Sequence, residues 1–572
     1  MSRLSPKRLF RRAFLGPDDR LFLMLAGLIV GICAGLAGVL LNGAIVWLDH
    51  ALRPARGYWW AFVLPGLGAA LSSIFLERVV NEGAGHGVPE VIYSVSRRGG
   101  LLRLRSGFSR LVSSCLTIGS GGSAGPEAPV VMSGSAIGSN IARLFSMNDR
   151  QRTTLVGCGA AAAIGSIFNA PIAGLIFTME VILGRWSAAA IFPIAVASVA
   201  GTEVSRQLQG NRIPFNHQPF TLGFMDIVAS VGLAVFAAGA SLALTHAIRT
   251  SHHLWDGAPG PKWTRAALGG FLVGGIGLYM PVILGEGYHA ISEMIEGAWV
   301  PALGFVALAA VVKVVVTSLT LGSGGSGGIF APCLVVGALV GVAYHGVLAA
   351  AWPAVGWVDA GAFALLGMAG LVSGMLQAPL TALFLIVEIT GSYGVVLPLI
   401  LVSVISTTLC NLVERSSFYL KDLEEHGQLL RPGTDARVLT DLRVNELLEH
   451  DVHMIREDMP LRELVDVIKQ SHRNHFPVEN QAGEFVGMVH LDHVRPYLFS
   501  PELYDAVMVY QIMDDRPLCA SVDDHLPEVL GLMDRHRKFT LPVVDNERFV
   551  GMISKGTLLN QYRKELIVQT SP

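Results

Sequence analysis

Arg110–Pro129 reads RLVSSCLTIGSGGSAGPEAP, and Lys313–Pro332, at a fixed offset of 203 residues, reads KVVVTSLTLGSGGSGGIFAP. Eleven of the twenty positions are identical without a gap. A second pair follows in the same order, with Pro and Glu nine residues apart in both: NAPIAGLIFTMEV at Asn169–Val181 and QAPLTALFLIVEI at Gln377–Ile389. An apolar chain that is duplicated, with Gly and Pro breaks at matching places, predicts a membrane transport protein whose site lies between the two halves.

The Gly-rich breaks are the candidate site. A helix that ends inside the bilayer leaves backbone N–H groups without acceptors and a positive dipole end there. Four such breaks could hold an anion without a buried Arg or Lys, and a partial charge of about half a unit lets the anion leave again. The alternative is that the glycines only let helices pack closely, as small-xxx-small patterns do.

Composition divides the chain into a membrane part and a soluble part. The 572 residues are 52% hydrophobic and 15% charged, with a mean hydropathy of +0.51. Residues 1–413 carry 24 Lys+Arg and 17 Asp+Glu, a net charge of +7, whereas residues 414–572 carry 18 and 27, a net charge of −9. Seven apolar runs in the first part approach or exceed the roughly 20 residues of one bilayer crossing. They are Leu21–Trp47, Trp59–Phe75, Ile227–Ala247, Ala266–Leu284, Leu303–Leu321, Ala362–Leu376 and Val395–Leu412.

The flanking sequence predicts location. The N-terminus is basic, and the first apolar run exceeds the core of a signal peptide, so we expect an uncleaved, multi-pass protein of the bacterial inner or plasma membrane. The positive-inside rule, applied to this end and to Arg97–Arg105, predicts that both termini are cytoplasmic. The six cysteines have no metal spacing and are expected to be buried thiols, so we expect no metal. No nucleic-acid signature is present.

A second duplication lies in the soluble tail. His475–Val478 (HFPV) and Phe485–Val489 (FVGMV) recur as Thr540–Val543 (TLPV) and Phe549–Ile553 (FVGMI). Each unit predicts helix, strand, turn, strand, helix. The pattern resembles a pair of CBS domains. The predicted organisation is an N-terminal segment at 1–20, a membrane domain at 21–413 with halves at about 21–215 and 222–413, a linker at 414–437, and CBS domains at 438–500 and 506–567.

The whole order of motifs resembles the CLC family of chloride channels and proton-coupled chloride transporters. It runs GHGVPE at Gly85–Glu90, GSAGP at Gly122–Pro126, GIFAP at Gly328–Pro332, then Tyr419 and the CBS pair. The resemblance implies an α-helical multi-pass membrane fold with two inverted-topology repeats of tilted and broken helices, followed by a cytoplasmic α/β CBS pair. It also implies a homodimer in membrane lipid with one anion pathway per subunit.

The resemblance implies a central chloride site. The backbone N–H groups of Ile329 and Phe330 and the hydroxyl of Tyr419 would coordinate the anion, although Tyr is also common at membrane interfaces. The GHG segment would add His86 and Gly87. The family commonly has Ser at the position of His86, and an imidazole, which can carry charge near pH 6.5, leaves the selectivity and the pH response open.

The outer site would be lined by the N–H groups of Ser123, Ala124 and Gly125. The family's GxxxP motif normally has a gating Glu in its centre, and here that position is assigned to Ala124. The family's exchangers usually have a second, inner Glu in the proton relay, and here that position is Val181. With both titratable groups missing, we expect a passive chloride channel.

The remaining intramembrane charges have alternatives. Glu127 is a possible displaced gate, but we expect it to lie one turn into its helix as a dipole partner, pointing away from the pore. The symmetry of Glu180 and Glu388 indicates a shared structural role. Arg110 and Lys313 are expected at helix ends or beside the pathway, where they would attract anions.

The CBS pair is a candidate nucleotide sensor. Adenine nucleotide sites in such pairs commonly use a Ser or Thr and, three residues later, an Asp. The first copy has His490 and His493, and the second has Ser554 and Thr557. Because neither Asp is present, we expect an assembly and gating module without strong nucleotide affinity, and no cofactor beyond chloride as the transported ion.

The function predicted from the sequence is therefore anion-selective membrane transport by a passive chloride channel that is not an enzyme. One alternative is a proton-coupled chloride exchanger that uses Glu127 or another route. A second alternative, from another class, is a CBS-regulated divalent-cation transporter. That class needs clustered oxygen ligands facing a pore, whereas the acids here are scattered.

Overall fold

The structure is a computed structural model that describes residues 19–81, 87–211, 215, 220, 222–296, 302–391, 393–425 and 444–570. The chain forms two compact units, Met1–Leu429 and Leu430–Pro572. The first unit is helical, and the second contains two three-stranded sheets.

Long apolar helices dominate the first unit. In chain order its α-helices are α1 (Asp19–Leu52), α2 (Val63–Ile74), α3 (Val88–Arg97), α4 (Leu104–Gly119), α5 (Glu127–Leu144), α6 (Asp149–Phe168), α7 (Pro171–Phe177), α8 (Ala188–Gln209), α9 (Phe224–Asp256), α10 (Lys262–Tyr279), α11 (Tyr288–Ile295), α12 (Leu303–Gly322), α13 (Phe330–Ala351), α14 (Ala360–Leu376), α15 (Pro379–Thr390), α16 (Val396–Val413) and α17 (Phe418–Glu425).

Within the described residues, seven helical segments are long and apolar enough to cross a membrane. They are Leu21–Gly57, Trp59–Val80, Ala188–Gln209, Phe224–Asp256, Leu303–Gly322, Phe330–Ala351 and Val396–Lys421. Two of these, Ala188–Gln209 and Phe330–Ala351, were not among the predicted apolar runs. The predicted run Ala266–Leu284 is interrupted because α10 ends at Tyr279, before Pro281.

Matching residues begin and end the matching helices of the two halves. Asn169 ends α6 and Gln377 ends α14, both in the left-handed conformation, with φ of 55° and 53°. Pro171 and Pro379 then start α7 and α15, where a missing N–H costs nothing. The duplicated sequence therefore produces duplicated breaks.

Glycine brings paired helices into backbone contact. A Cβ added at Gly134 of α5 would overlap the carbonyl of Gly159 in α6, and one at Gly337 of α13 would overlap that of Gly367 in α14. Glycines within these helices thus allow close helix packing. The Gly-rich turns that precede α5 and α13 differ from these packed helices in geometry.

The second unit repeats one sheet. Strands β1 (Ile455–Arg456), β2 (His475–Glu479) and β3 (Phe485–His490) are adjacent in that order, as are β4 (Ala520–Ser521), β5 (Thr540–Asp545) and β6 (Arg548–Ser554). In each sheet the first pair is parallel and the second antiparallel. The helices are α18 (Leu461–Gln470), α19 (Leu491–Val494), α20 (Val509–Ile512), α21 (Leu526–Arg535) and α22 (Lys555–Thr570).

The predicted fold class is confirmed, with two local corrections. The predicted linker 414–437 contains α17, which is helical because Phe418, Tyr419 and Leu423 are buried in the apolar core of the first unit. Cys519, expected to be buried, is exposed in the second unit.

Candidate anion pathway

The two Gly-rich turns meet each other directly. Gly125 N donates to Gly328 O at 2.9 Å, and Gly328 N donates to Gly125 O at 2.7 Å. This reciprocal pair of bonds joins the two halves. It also brings the first residues of α5 and α13 close together, so that two helix N-termini meet inside the membrane unit.

The helix starts obey the same register as the sequence repeat. Helix α5 begins at Glu127 and α13 begins at Phe330, which are 203 positions apart. Gly125–Pro129 (GPEAP) is therefore the structural counterpart of Gly328–Pro332 (GIFAP). Glu127 occupies the place in its half that Phe330 occupies in the other.

The Glu127 carboxylate lies in the space that two glycines leave open. Glu127 is 2% exposed, and Tyr288 donates its hydroxyl hydrogen to Oε1 at 2.9 Å. Oε2 is buried and has no hydrogen-bond partner among the described residues. A Cβ at Gly125 would overlap Oε2, and one at Gly328 would lie 3.2 Å from it. The carboxylate thus turns back over the two Gly-rich turns.

This geometry corrects the expectation that Glu127 lies one turn into the helix and points away from the pore. Glu127 is the first helical residue. A helical Cα–Cβ bond tilts toward the N-terminus, which directs this side chain out of the helix end and toward the turns.

The expectation that Ser123, Ala124 and Gly125 offer free N–H groups is also wrong. Ser123 N donates to Thr320 Oγ1 at 3.1 Å, Ala124 N to Gly122 O at 3.1 Å, and Gly125 N to Gly328 O. These donors are already used within the protein. Ala124 precedes α5 by three residues and is fully buried, and a Cβ at Gly327 would overlap its methyl group. Ala124 therefore does not occupy the helix start, where a gating side chain would lie.

The other predicted anion ligands keep favourable positions. The backbone N–H groups of Ile329 and Phe330 donate to no acceptor among the described residues. Tyr419 is 1% exposed and lies close enough to Glu127 to interact with its charge. Their role in binding chloride stays a prediction.

The GHGVPE segment is described only from its second glycine onward. His86 lies outside the described residues. Gly87 directly precedes α3 and has φ of 77°, and a Cβ there would lie 2.7 Å from Ala128 O. Glycine is therefore required for α3 to approach the first turn of α5.

Each of the two matched intramembrane acids, Glu180 and Glu388, binds the start of a helix in the opposite half. Glu388 Oε2 accepts from Ala173 N at 2.7 Å, at the start of α7. Glu180 Oε2 accepts from Thr381 N at 2.8 Å and from its hydroxyl at 2.6 Å, at the start of α15. Each carboxylate caps a helix of the opposite half, which is a shared structural role. Val181, the predicted inner relay position, packs against the apolar core.

The matched cations Arg110 and Lys313 do not lie at helix ends, which was one of their two expected positions. Arg110 lies within α4, is 2% exposed, and contacts Glu90 Oε1 through Nη2 at 2.6 Å. Lys313 lies within α12, is fully buried, and donates to the carbonyls of Ile283 and Gly285 at 2.8 and 2.9 Å. Arg110 thus joins α4 to the first turn of α3, whereas Lys313 stabilises the loop that precedes α11.

Comparison with known proteins agrees with this architecture. The family described as "Voltage gated chloride channel" matches residues 68–411, and the CBS domain family matches 444–500 and 509–564. A protein of Ralstonia nicotianae named a "chloride channel protein ClcB-like" is 31% identical over 372 residues, which is 64% of this chain and 86% of that protein.

This chain belongs to the voltage-gated chloride channel family, known as CLC.

Further CLC relatives cover more of the chain. The H(+)/Cl(-) exchange transporter ClcA of Citrobacter koseri is 28% identical over 73% of this chain and 91% of its own length. Two solved CLC structures share the fold. A slow cyanobacterial Cl⁻/H⁺ antiporter has a TM-score of 0.65 and 22% identity over 72% of this chain and 98% of its own. A eukaryotic CLC transporter has a TM-score of 0.62 and 17% identity over 94% and 98%. The protein is a multi-pass membrane anion transporter of this family.

Sequence reasoning missed two residues beside Glu127. Glu286 and Tyr288 belong to Gly285-Glu286-Gly287-Tyr288, which matches the GHGV of residues 85–88 at an offset of 200. Gly287 directly precedes α11 and has φ of 83°, as Gly87 directly precedes α3. The short GxG repeat was the available signal.

In the second CBS copy, the nucleotide candidates bind their own chain. Ser554 donates to Glu449 Oε1 at 2.5 Å, Thr557 also donates to Oε1, and Arg473 contacts Oε2 at 2.5 Å. Burial raises the pKa of Glu449, but these hydrogen bonds and the Arg473 charge outweigh it and lower the pKa below its usual range.

In the first copy the candidates form a histidine cluster. His490 Nδ1 lies 2.8 Å from His475 Nδ1, and its ring centroid lies 5.1 Å from that of His493. Burial, followed by the neighbouring His475 and other cations, lowers the pKa of His490 to about 4. At neutral pH His490 is therefore uncharged.

Proposed function

We propose that this CLC protein exchanges chloride for protons and that Glu127 is its gating carboxylate. The observation that carries the proposal is the position of Glu127 at the start of α5, with Oε2 unpartnered between the two Gly-rich turns. The relatives named H(+)/Cl(-) exchange transporters support the same function. The passive channel rested on the absence of this carboxylate, so its main argument no longer holds.

The chemistry follows from competition between the Glu127 carboxylate and chloride for the same position. A deprotonated Glu127 is an anion beside the free N–H groups of α13, where a chloride ion would also be stabilised. Protonation removes the charge of Glu127 and with it the competition. Chloride can then enter, and the displaced carboxyl group carries one proton. Alternation between these states links movement of the two ions in opposite directions.

The inner half of the proton route differs from that of the family's usual exchangers. Val181 has no titratable atom, so protons must reach Glu127 from the cytoplasmic side by another path. Val181 is also the observation that favours the second candidate function, a passive chloride channel. The two candidates differ in proton movement, which can be measured.

The assembly is part of the proposal. We expect a homodimer with one pathway in each subunit, both termini in the cytoplasm, and a CBS pair that does not need a nucleotide. The support is that residues 87–425 of a single chain supply every candidate pathway group described above. Single-molecule photobleaching of labelled protein in membranes should give two steps, and a single step would contradict the dimer.

The test uses purified protein in liposomes with an outward chloride gradient and a pH readout. The wild-type protein should drive protons inward against their gradient. Glu127→Gln should abolish proton movement while chloride flux continues. Glu203→Gln is the matched control, because this exposed acid of α8 contacts Gln207 at 2.6 Å and is remote in sequence from the turns. Chloride flux without proton movement in the wild-type protein would establish the passive channel instead.

A further inference from the structure

Beside Glu127 lies a second acid that the family comparison does not assign. Glu286 sits in the turn before α11, between Gly285 and Gly287. It is partly exposed, whereas its Oε1 is buried and has no hydrogen-bond partner among the described residues. Glu286 is thus a partly exposed acid whose carboxylate has one buried, unpaired oxygen.

Three charged groups on other helices act on Glu286. Lys313 of α12 and Asp49 of α1 act on its carboxylate, and Glu127 of α5 interacts with it as a like charge. Asp49 has its own cation, Arg56, at 2.6 Å. Lys313 donates only to backbone carbonyl groups among the described residues, so its charge is left to balance Glu286.

Counting charge shows that this set favours one shared proton. With both carboxylates ionised and Lys313 protonated, the three groups carry a net charge of −1, and one added proton makes the set neutral. A neutral set is favoured where water is scarce, since an uncompensated buried charge is costly. Two interacting carboxylates in such a site titrate as a pair.

Tyr288 connects the two acids structurally. It follows Glu286 by two residues, begins α11, and donates its hydroxyl hydrogen to Glu127 Oε1 at 2.9 Å. The turn that carries Glu286 is fixed from the other side, because Lys313 Nζ donates to Gly285 O at 2.9 Å. The position of Glu286 relative to Glu127 is therefore set by contacts at both ends of one short segment.

We propose that Glu286 is a second proton-carrying residue, which exchanges protons with the solution and passes them to and from Glu127. The inference rests on the proposed exchange function. In the inward-going step, the Glu286 carboxyl group releases its proton, the Glu127 carboxylate receives it, and Glu286 is left as the anion that balances Lys313. No other reactant is needed.

The first experiment is Glu286→Gln in liposomes, with chloride and proton fluxes measured between pH 5 and pH 8. Above neutral pH, where free protons are scarce, both fluxes should fall on the order of tenfold or more, with an unchanged chloride-to-proton ratio. Acidification should restore much of the rate. Glu286→Asp, which keeps a titratable group, should lose less. Glu296→Gln, an exposed acid just after α11, is the matched control.

The second experiment separates proton handling from an effect on the anion. In the Glu127→Gln background, where only chloride moves, adding Glu286→Gln should leave chloride flux within about twofold, because no proton needs to be delivered. An equal loss of flux in both backgrounds, or no loss in the wild-type background, would overturn the role of Glu286. The wild-type proton trace tests the exchange function itself, so the two failures are distinguishable.

Discussion

Replacement of Tyr288 by Phe isolates one hydrogen bond to the Glu127 carboxylate. The hydroxyl donates to Oε1 at 2.9 Å, while Oε2 has no partner among the described residues. Tyr288→Phe therefore removes the side-chain hydrogen bond made to the charged form and leaves the ring, which packs edge-to-face on Phe215 with centroids 5.8 Å apart.

The size of the expected shift follows from the difference in free energy between a hydrogen bond to the charged carboxylate and one to the neutral carboxyl group. A bond to a charged group contributes about 1.5–3 kcal/mol and a neutral one about 0.5–1.5 kcal/mol, so the deprotonated form loses about 1–1.5 kcal/mol more. At about 1.4 kcal/mol per pH unit, this loss moves the protonation of Glu127 to a pH about one unit higher. The pH at which chloride flux is half-activated should rise by about one unit, because protonated Glu127 no longer competes with the anion.

The assay is chloride efflux from liposomes across a pH series. Tyr344→Phe is the matched control, because that hydroxyl donates to Ala229 O, in α9, at 3.0 Å. An unshifted flux profile for Tyr288→Phe, or an equal shift for the control, would refute the role of Glu127 as the gating carboxylate.

Four further outcomes are expected. Gly328→Ala should lower the number of protons moved per chloride ion, because the added methyl group displaces the Glu127 carboxylate that competes with the anion, and a proton-to-chloride ratio equal to wild type would contradict the crowding. Glu388→Gln should lower the thermal stability of the membrane unit by about 2–3 kcal/mol, since its two charge-assisted bonds from the N–H groups of Ile172 and Ala173 are replaced by one neutral bond; an unchanged melting temperature would refute the cap. ATP should not bind the full-length protein while Glu449 occupies the hydroxyls of the second CBS copy, and a dissociation constant in the low micromolar range, on the order of −7 to −8 kcal/mol, would contradict this. The CBS unit should lose stability as pH falls from about 6.5 toward 4, because the unfolded chain binds a proton that folded His490, with its lowered pKa, does not; His490→Phe should flatten this dependence, measured by denaturant unfolding.

The repeat in the sequence was sufficient to predict the broken helices and the two-half architecture. The same offset of 203 already paired Glu127 with Phe330, but the gating position was assigned by comparing GSAGP alone with a family motif. The assignment to Ala124 followed from that shift of three residues. The alignment of the two repeats with each other was the better guide, because both repeats have their helix break at the same aligned position.

Other features could not be predicted from sequence because their partners lie in the opposite half. The N–H group of Ser123 is used by Thr320, which is 197 residues away. Lys313 is buried because a loop supplies carbonyl oxygens, and loop carbonyls leave no pattern in the sequence. Local motifs therefore indicate which backbone groups are candidates, and only the assembled fold decides which remain free.

The reciprocal caps impose an order on biosynthesis. Glu180 is synthesised 201 residues before Thr381, whose N–H and hydroxyl it accepts. At about 5–20 residues per second, the N-terminal half spends about 10–40 s in the membrane before Thr381 is made. During this time the Glu180 carboxylate lacks its hydrogen-bond donors, and the start of α7 lacks Glu388. The first half therefore cannot reach its final packing alone. A ribosome that stalls between the halves should leave a degradation-prone fragment, and the second half, expressed separately in the same membrane, should rescue it.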